Sequence, residues 1–257
     1  MKHRTPIAVV GMGGLFPGAS DLETFWQNIV NKIDTTCDVP DHRWVVKPAS
    51  ICDPIGVPDK ALSRRACLIH DVEFDPEGFD IEKRLLLELD PLYQMVLHSG
   101  RQAFFDANTA SIDQKRIGTI LAAIALPTDA SSFITREIVG KSFEAQLFSG
   151  SAPYESSKKQ KPLSRNQSLS ARVTGLPAAL LAKSLGLGGG SYTLDAACAS
   201  SLYAVKLACD ELWSCRADAM LAGGVSRPES LYTQVGFSQL QALSPSGRCA
   251  PFDEKAD

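Results

Sequence analysis

The sequence predicts a layered α/β fold. Two observations carry the prediction. Short runs of β-branched and small apolar residues recur at 7–10, 117–123, 191–196 and 220–225, and the stretches between them carry apolar side chains at helical spacing. With 44% hydrophobic and 21% charged residues, the 257-residue chain has enough apolar material for one large domain or two small ones.

The elements follow in order. Ile7-Ala-Val-Val10 reads as a buried strand ending in a glycine turn, and Ser20-Asp-Leu-Glu23 supplies a capping-box pattern for a helix through about Lys32. From Thr35 to Phe79, Pro40, Pro48, Pro54 and Pro58 predict irregular structure. Over 81–106, Leu85, Leu86, Leu89, Leu92, Val96 and Ala103 recur at helical spacing, and Pro91 divides the stretch into two helices. Ile117–Ala123 reads as a buried strand, 128–148 as a helix, and Ser149–Ser170 as a polar insert rich in Ser, Lys and Gln. An apolar helix from Ala171 to Leu185 ends in Gly186-Leu-Gly-Gly-Gly190. A strand at Ser191–Ala196, a helix after Cys198 and a strand at Met220–Val225 complete the pattern.

Charge and cysteine content exclude several classes of function. A net charge of −3 gives no global attraction for nucleic acid or an anionic membrane, and neither is expected as a partner. No apolar run approaches the ~20 residues of a membrane span. Cys37, Cys52, Cys67, Cys198, Cys209, Cys215 and Cys249 are scattered and include no Cys-x-x-Cys pair, which predicts reduced thiols in a cytoplasmic protein and no metal site. Gly11, Gly13 and Gly14 interrupt the apolar opening and argue against a secretory leader.

Nucleotide motifs fail on inspection. Gly11-Met-Gly13-Gly14 lacks the third glycine of a dinucleotide fingerprint, which is Phe16, and Pro17 opposes a helix start there. Gly140-Lys-Ser142 lacks the upstream glycine of a phosphate loop, which is Thr135. His3, His42, His70 and His98 share no metal-ligand spacing.

Cys198 is the candidate for chemistry. Ala196, Ala197, Ala199, Ser200 and Ser201 leave open space around it, and a strand-to-helix turn would present its sulfur outward, as in the nucleophile elbow of hydrolases. Unpaired amides at a helix start steady a thiolate and point donors at an oxyanion. A terminus contributes only roughly 0.3–1 kcal/mol, so either a further group helps or the thiol acts largely protonated at neutral pH. Free cysteine is also commonly a buried small hydrophobe, and the local chemistry alone does not separate the two roles.

The surrounding motif does separate them. Asp195-Ala-Ala-Cys-Ala-Ser-Ser-Leu202 resembles the active-site segment of β-ketoacyl synthases of polyketide and fatty-acid assembly lines, usually Asp-Thr-Ala-Cys-Ser-Ser-Ser-Leu. Ile7–Gly18 with Phe25-Trp26 resembles the family's opening, and Leu89-Asp-Pro91 with Ala103 and Asp106-Ala107 resembles its Met-Asp-Pro helix. Met220–Val225 and Leu243–Asp253 are similar to two further landmarks. Departures are Gln94 in place of the usual Arg, Ala199 in place of Ser, and Gly189-Gly190 in place of Gly-Pro. The Asp-Ala-Ala-Cys version resembles synthases of bacterial polyunsaturated fatty-acid and glycolipid pathways more than modular polyketide ones.

The resemblance implies the first, N-terminal half of a thiolase-like layered fold, with residues 1–257 forming one domain that stops before the histidine-bearing second half. It implies acyl transfer to Cys198, whose backbone amide is one oxyanion donor, then decarboxylative condensation with a malonyl-carrier thioester. No cofactor is expected on the chain, because the phosphopantetheine belongs to the acyl carrier protein. The carrier, a second copy in a homodimer paired near the strand before Cys198, and the second half or further synthase domains are the implied partners. Lys158, Lys159, Lys161 and Arg165 are candidates for docking the acidic carrier, with an ordinary solvated loop as the alternative. The rival function is a non-catalytic partner subunit of the chain-length-factor type, which usually carries Gln where Cys198 stands, or an inactive fragment.

Overall fold

A computed structural model describes residues 4–44, 46–53, 55–70, 73–124, 129–147, 175–227 and 231–257. Three parallel strands form its centre: β3 (Ile117–Ala123) lies between β4 (Ser191–Leu194) and β5 (Ala219–Val225). A small antiparallel ribbon pairs β1 (Thr36–Asp38) with β2 (Arg65–Cys67), Thr36 opposite Cys67. It is the regular part of an otherwise irregular 35–79 region, together with the single turn α2 (Pro48–Ile51).

Alternation along β3 builds the layers. Ile117 and Leu121 join Leu97 and Phe104 of α4 (Pro91–Asp106) and Leu181 of α7 (Leu176–Ser184) in one core. Ile120 and Ala122 face the other way, against Ala204 and Ala208 of α8 (Ser200–Trp213). Each leucine or isoleucine buried this way contributes roughly 1.5–3 kcal/mol. The result is helix, sheet, helix, as a parallel sheet covered on both faces requires.

Two of the helices start where an aspartate supplies an acceptor. Before α1 (Leu22–Val30), the cap is Asp21, whose Oδ1 accepts from the Thr24 N–H at 2.7 Å. The cap thus stands one residue after the expected Ser20, with an ionised carboxylate, a stronger acceptor than a hydroxyl, on the third amide of the helix. Asp90 caps α4, accepting from the Leu92 N–H at 3.0 Å, with Pro91 at the first helical position. This separates α4 from the short α3 (Lys83–Leu87), as Pro91 predicts. Gln94 donates to the Leu86 carbonyl at 3.2 Å and so closes the end of α3. Across 129–147 the expected helix is present as α5 (Asp129–Thr135) and α6 (Lys141–Leu147) joined by a π-helical stretch, Arg136–Gly140. The polar insert, with Lys158, Lys159, Lys161 and Arg165, lies outside the described residues, as do residues 171–174 of the expected helix. α9 (Leu231–Gln239) packs against the irregular region, Gln234 donating to the Ser63 carbonyl at 3.0 Å.

One expected strand is absent. Residues 7–10 pair with no strand among the described residues, and Val9 is 80% exposed. The segment is held from its ends. Arg4 stacks on Trp213, whose Nε1 donates to the Thr5 carbonyl at 2.8 Å, and the Met12 N–H donates to Asp106 at 2.9 Å. Gly11 and Gly13 permit that approach to α4: a Cβ on Gly13 would sit 2.3 Å from the Ser99 carbonyl oxygen, and one on Gly11 2.5 Å from that of Ala103. The glycines that imitate a nucleotide motif are packing surfaces for a helix.

Candidate active site

The turn between β4 and α8 is a closed set of hydrogen bonds. β4 ends at Leu194, two residues earlier than expected, because the next amides turn away from the sheet. The Ala196 N–H donates to Ser200 Oγ at 2.8 Å, and the Ala197 N–H to Asp195 Oδ1 at 2.9 Å. The Ala199 N–H donates to the Ala196 carbonyl at 3.2 Å, and the Ser200 N–H to that of Ala197. The Ser200 hydroxyl completes the set by donating to the Ala197 carbonyl at 2.6 Å.

These bonds hold a backbone that does not relax by itself. Ala197 has φ +50°, the left-handed region that a residue with a Cβ enters at a cost of roughly 1 kcal/mol or more. The turn places Cys198 in a short 3₁₀ segment, Ala197–Ala199, with its thiol exposed two residues ahead of α8. The N–H of Cys198 takes part in none of the bonds above. An exposed cysteine whose own amide is unengaged among the described residues is the arrangement a nucleophile with its own oxyanion donor requires.

Neighbouring elements leave room for it. A Cβ on Gly224, near the end of β5, would meet Ser201 Cβ at 3.1 Å, so glycine there lets the start of α8 lie against the strand. Thr193 caps α7 from β4, its hydroxyl accepting from the Ala178 N–H at 3.2 Å. A cavity of about 400 Å³ lies elsewhere, between the 13–17 loop, α4 and residues 221–227. Cys198 does not line it; the cysteine among its lining residues is Cys67 of β2. Two of the described histidines serve other elements: His98 bonds Gln102 along α4 at 3.0 Å, and His70 lies 3.8 Å from the Cys37 sulfur at the β1–β2 ribbon.

A sequence profile described as "Beta-ketoacyl synthase, N-terminal domain" matches residues 4–257. The chain belongs to the β-ketoacyl synthase family. Over 256 residues this ketosynthase chain is 32% identical to a phenolphthiocerol/phthiocerol polyketide synthase of Mycobacterium tuberculosis, covering 98% of itself and 13% of that protein. It is 30% identical to "Non-reducing polyketide synthase stmB" of Aspergillus ustus, covering 98% of itself and 11% of it. Among solved structures, "PfaC Keto synthase-Chain length factor" superposes with a TM-score of 0.79 at 34% identity, over 96% of this chain and 27% of that one. The ketosynthase from module 6 of the bacillaene synthase of Bacillus subtilis 168 gives 0.67 at 25%, over 96% and 36%. The fold is thus the thiolase-like layered fold of ketosynthases in its N-terminal part, and the chain spans about an eighth of the mycobacterial relative's length.

Sequence reasoning found the nucleophile candidate but missed Ser200 and Asp195 as the groups that fix its turn. Ser200 reads as a small residue of the motif. Its 8% exposure and paired bonds appear only in the fold.

Proposed function

We propose that the ketosynthase chain supplies the acyl-accepting half of a condensing enzyme of polyketide or fatty-acid assembly, with Cys198 as nucleophile. The observation that carries this reading is the exposed Cys198 on a turn whose hydrogen bonds, among the described residues, leave its own amide unengaged. The Cys198 thiolate attacks the carbonyl of an acyl-carrier thioester, a C–S bond forms to Cys198, and the carrier's phosphopantetheine thiol leaves. Carrier-bound malonyl then loses CO₂, and the resulting carbanion attacks the acyl-enzyme carbonyl. A C–C bond forms, and the Cys198 thiolate departs from the collapsing tetrahedral intermediate.

The second step needs groups that hold the carboxylate and steady the carbanion. Family resemblance assigns that task to two histidines of a second half, and His42, His70 and His98 match neither segment. Exposed apolar side chains on α8 and in the opening, Leu202 at 74% and Val9 at 80%, support a covering surface of that kind. β4 is an edge strand of its sheet with Tyr192 partly exposed, which supports pairing of two copies there. Cys198 itself weighs against a chain-length-factor role, for which the family usually places Gln. All seven cysteines are free thiols, in keeping with a reducing, cytoplasmic setting. Among the described residues no helix is long and apolar enough to cross a membrane.

The test is a condensation assay with acyl- and malonyl-carrier proteins. The purified 257-residue chain is expected to make no β-ketoacyl product alone, and to do so when joined to a histidine-bearing second half. Product from the isolated chain, or from a Cys198→Ala variant of the joined protein, contradicts the reading.

A further inference from the structure

We infer that Ser200 is a positioning residue whose hydroxyl aims the Cys198 amide at the oxyanion of the acyl-transfer intermediate. The inference rests on the proposed nucleophilic role of Cys198.

The geometry is that of one peptide plane. In a trans peptide the C=O and the following N–H point in opposite directions. The Ser200 Oγ–H donates to the Ala197 carbonyl at 2.6 Å, so the N–H across the same plane, that of Cys198, is directed away from Ser200. Ser200 is 8% exposed and lies on the protein side of the turn, whereas Cys198 is exposed. The amide is thereby turned towards the side from which an acyl thioester reaches the sulfur. The same Oγ accepts from the Ala196 N–H at 2.8 Å, so the hydroxyl is held at both of its functions and has one rotor position that satisfies them. Asp195 fixes the neighbouring peptide through the Ala197 N–H at 2.9 Å. The Ala197 carbonyl also accepts from the Ser200 N–H, so the hydroxyl is the second of two donors on that oxygen and the one that also holds the Ala196 N–H; without it the left-handed Ala197 is freer to relax by rotation of the Ala197–Cys198 peptide.

Two reactions of one thiol separate aiming from mere presentation. Alkylation by iodoacetamide is a displacement at carbon and develops no oxyanion. Acylation by an acyl-N-acetylcysteamine thioester passes through a tetrahedral oxyanion. Both rates are measured at Cys198 in the full-length protein that carries this chain, for wild type, Ser200→Ala and Ser200→Thr. Ser200→Ala is expected to slow acylation by roughly 10- to 100-fold, approaching the loss of an oxyanion donor, while alkylation changes less than about threefold over the same pH range. Ser200→Thr, which keeps the hydroxyl, is expected to restore acylation. Equal slowing of both reactions, unchanged acylation in Ser200→Ala, or failure of Ser200→Thr to restore it overturns the inference. Alkylation of Cys198 without any acylation in wild type instead overturns the nucleophile assignment beneath it.

Discussion

Thr119 stands mid-strand in β3 with no exposed surface, on the α4 and α7 side, and its Oγ1 has no hydrogen-bond partner among the described residues. A buried hydroxyl without a partner costs roughly 1–3 kcal/mol. Valine has nearly the same shape, keeps the β-branch and carries no polar atom. Thr119→Val is therefore expected to raise stability by about 1 kcal/mol, read as a higher denaturant midpoint at unchanged slope. A lower midpoint contradicts the assignment of Thr119 as unpaired. The contrast with Ser200 is instructive: both are small hydroxyl residues in or beside the sheet, both are buried, and only Ser200 is bonded on each side. Sequence does not separate them, because the distinction is made by which backbone groups the fold brings within 3 Å.

At the scale of elements, the entrances to β3 and β5 are tied together by charge. Arg116 donates to both oxygens of Asp218, at 2.6 and 2.7 Å, and to the Cys215 carbonyl at 2.9 Å. Its hydrogen bonds hold the Asp218 carboxyl below the usual aspartate range. A carboxyl depressed in the folded state stabilises the fold above its unfolded pKa of about 4, and that contribution is lost as pH falls through the folded value. Asp218→Asn is expected to melt at a lower temperature than wild type at pH 7 and low salt, the gap narrowing as pH falls below about 4. A gap that stays constant to pH 3 contradicts the pairing. Both side chains are nearly half exposed, so added salt should shrink the gap too. Elements with their own periodicity were legible: α4, β3, α8 and β5 stand where spacing and Pro91 put them. Residues 7–10 were not, because a strand is defined by a partner that a single run of apolar residues does not name. Gly11 and Gly13 carried the better signal, that of close approach to another backbone, but the helix they approach lies about ninety residues on.

For the whole molecule, the three-layer arrangement follows from an alternation already visible in Ile117–Ala123, and the family from landmarks spread along almost the entire chain. The site was half legible. Cys198 stood out through its neighbours, whereas the bonds that strain and fix its turn required coordinates. Val9 and Val10 in the expected opening strand, and Leu202 and Tyr203 at the start of α8, are exposed apolar side chains. Acyl transfer to Cys198 is the first step of the proposed reaction, and the later steps depend on it. The most direct measurement is peptide mapping by mass spectrometry after incubation of the protein with an acyl-N-acetylcysteamine thioester. The account predicts one acyl group on the peptide containing Cys198 and none in Cys198→Ala. Acylation of another cysteine in preference to Cys198, or a Cys198 that stays unmodified, contradicts it.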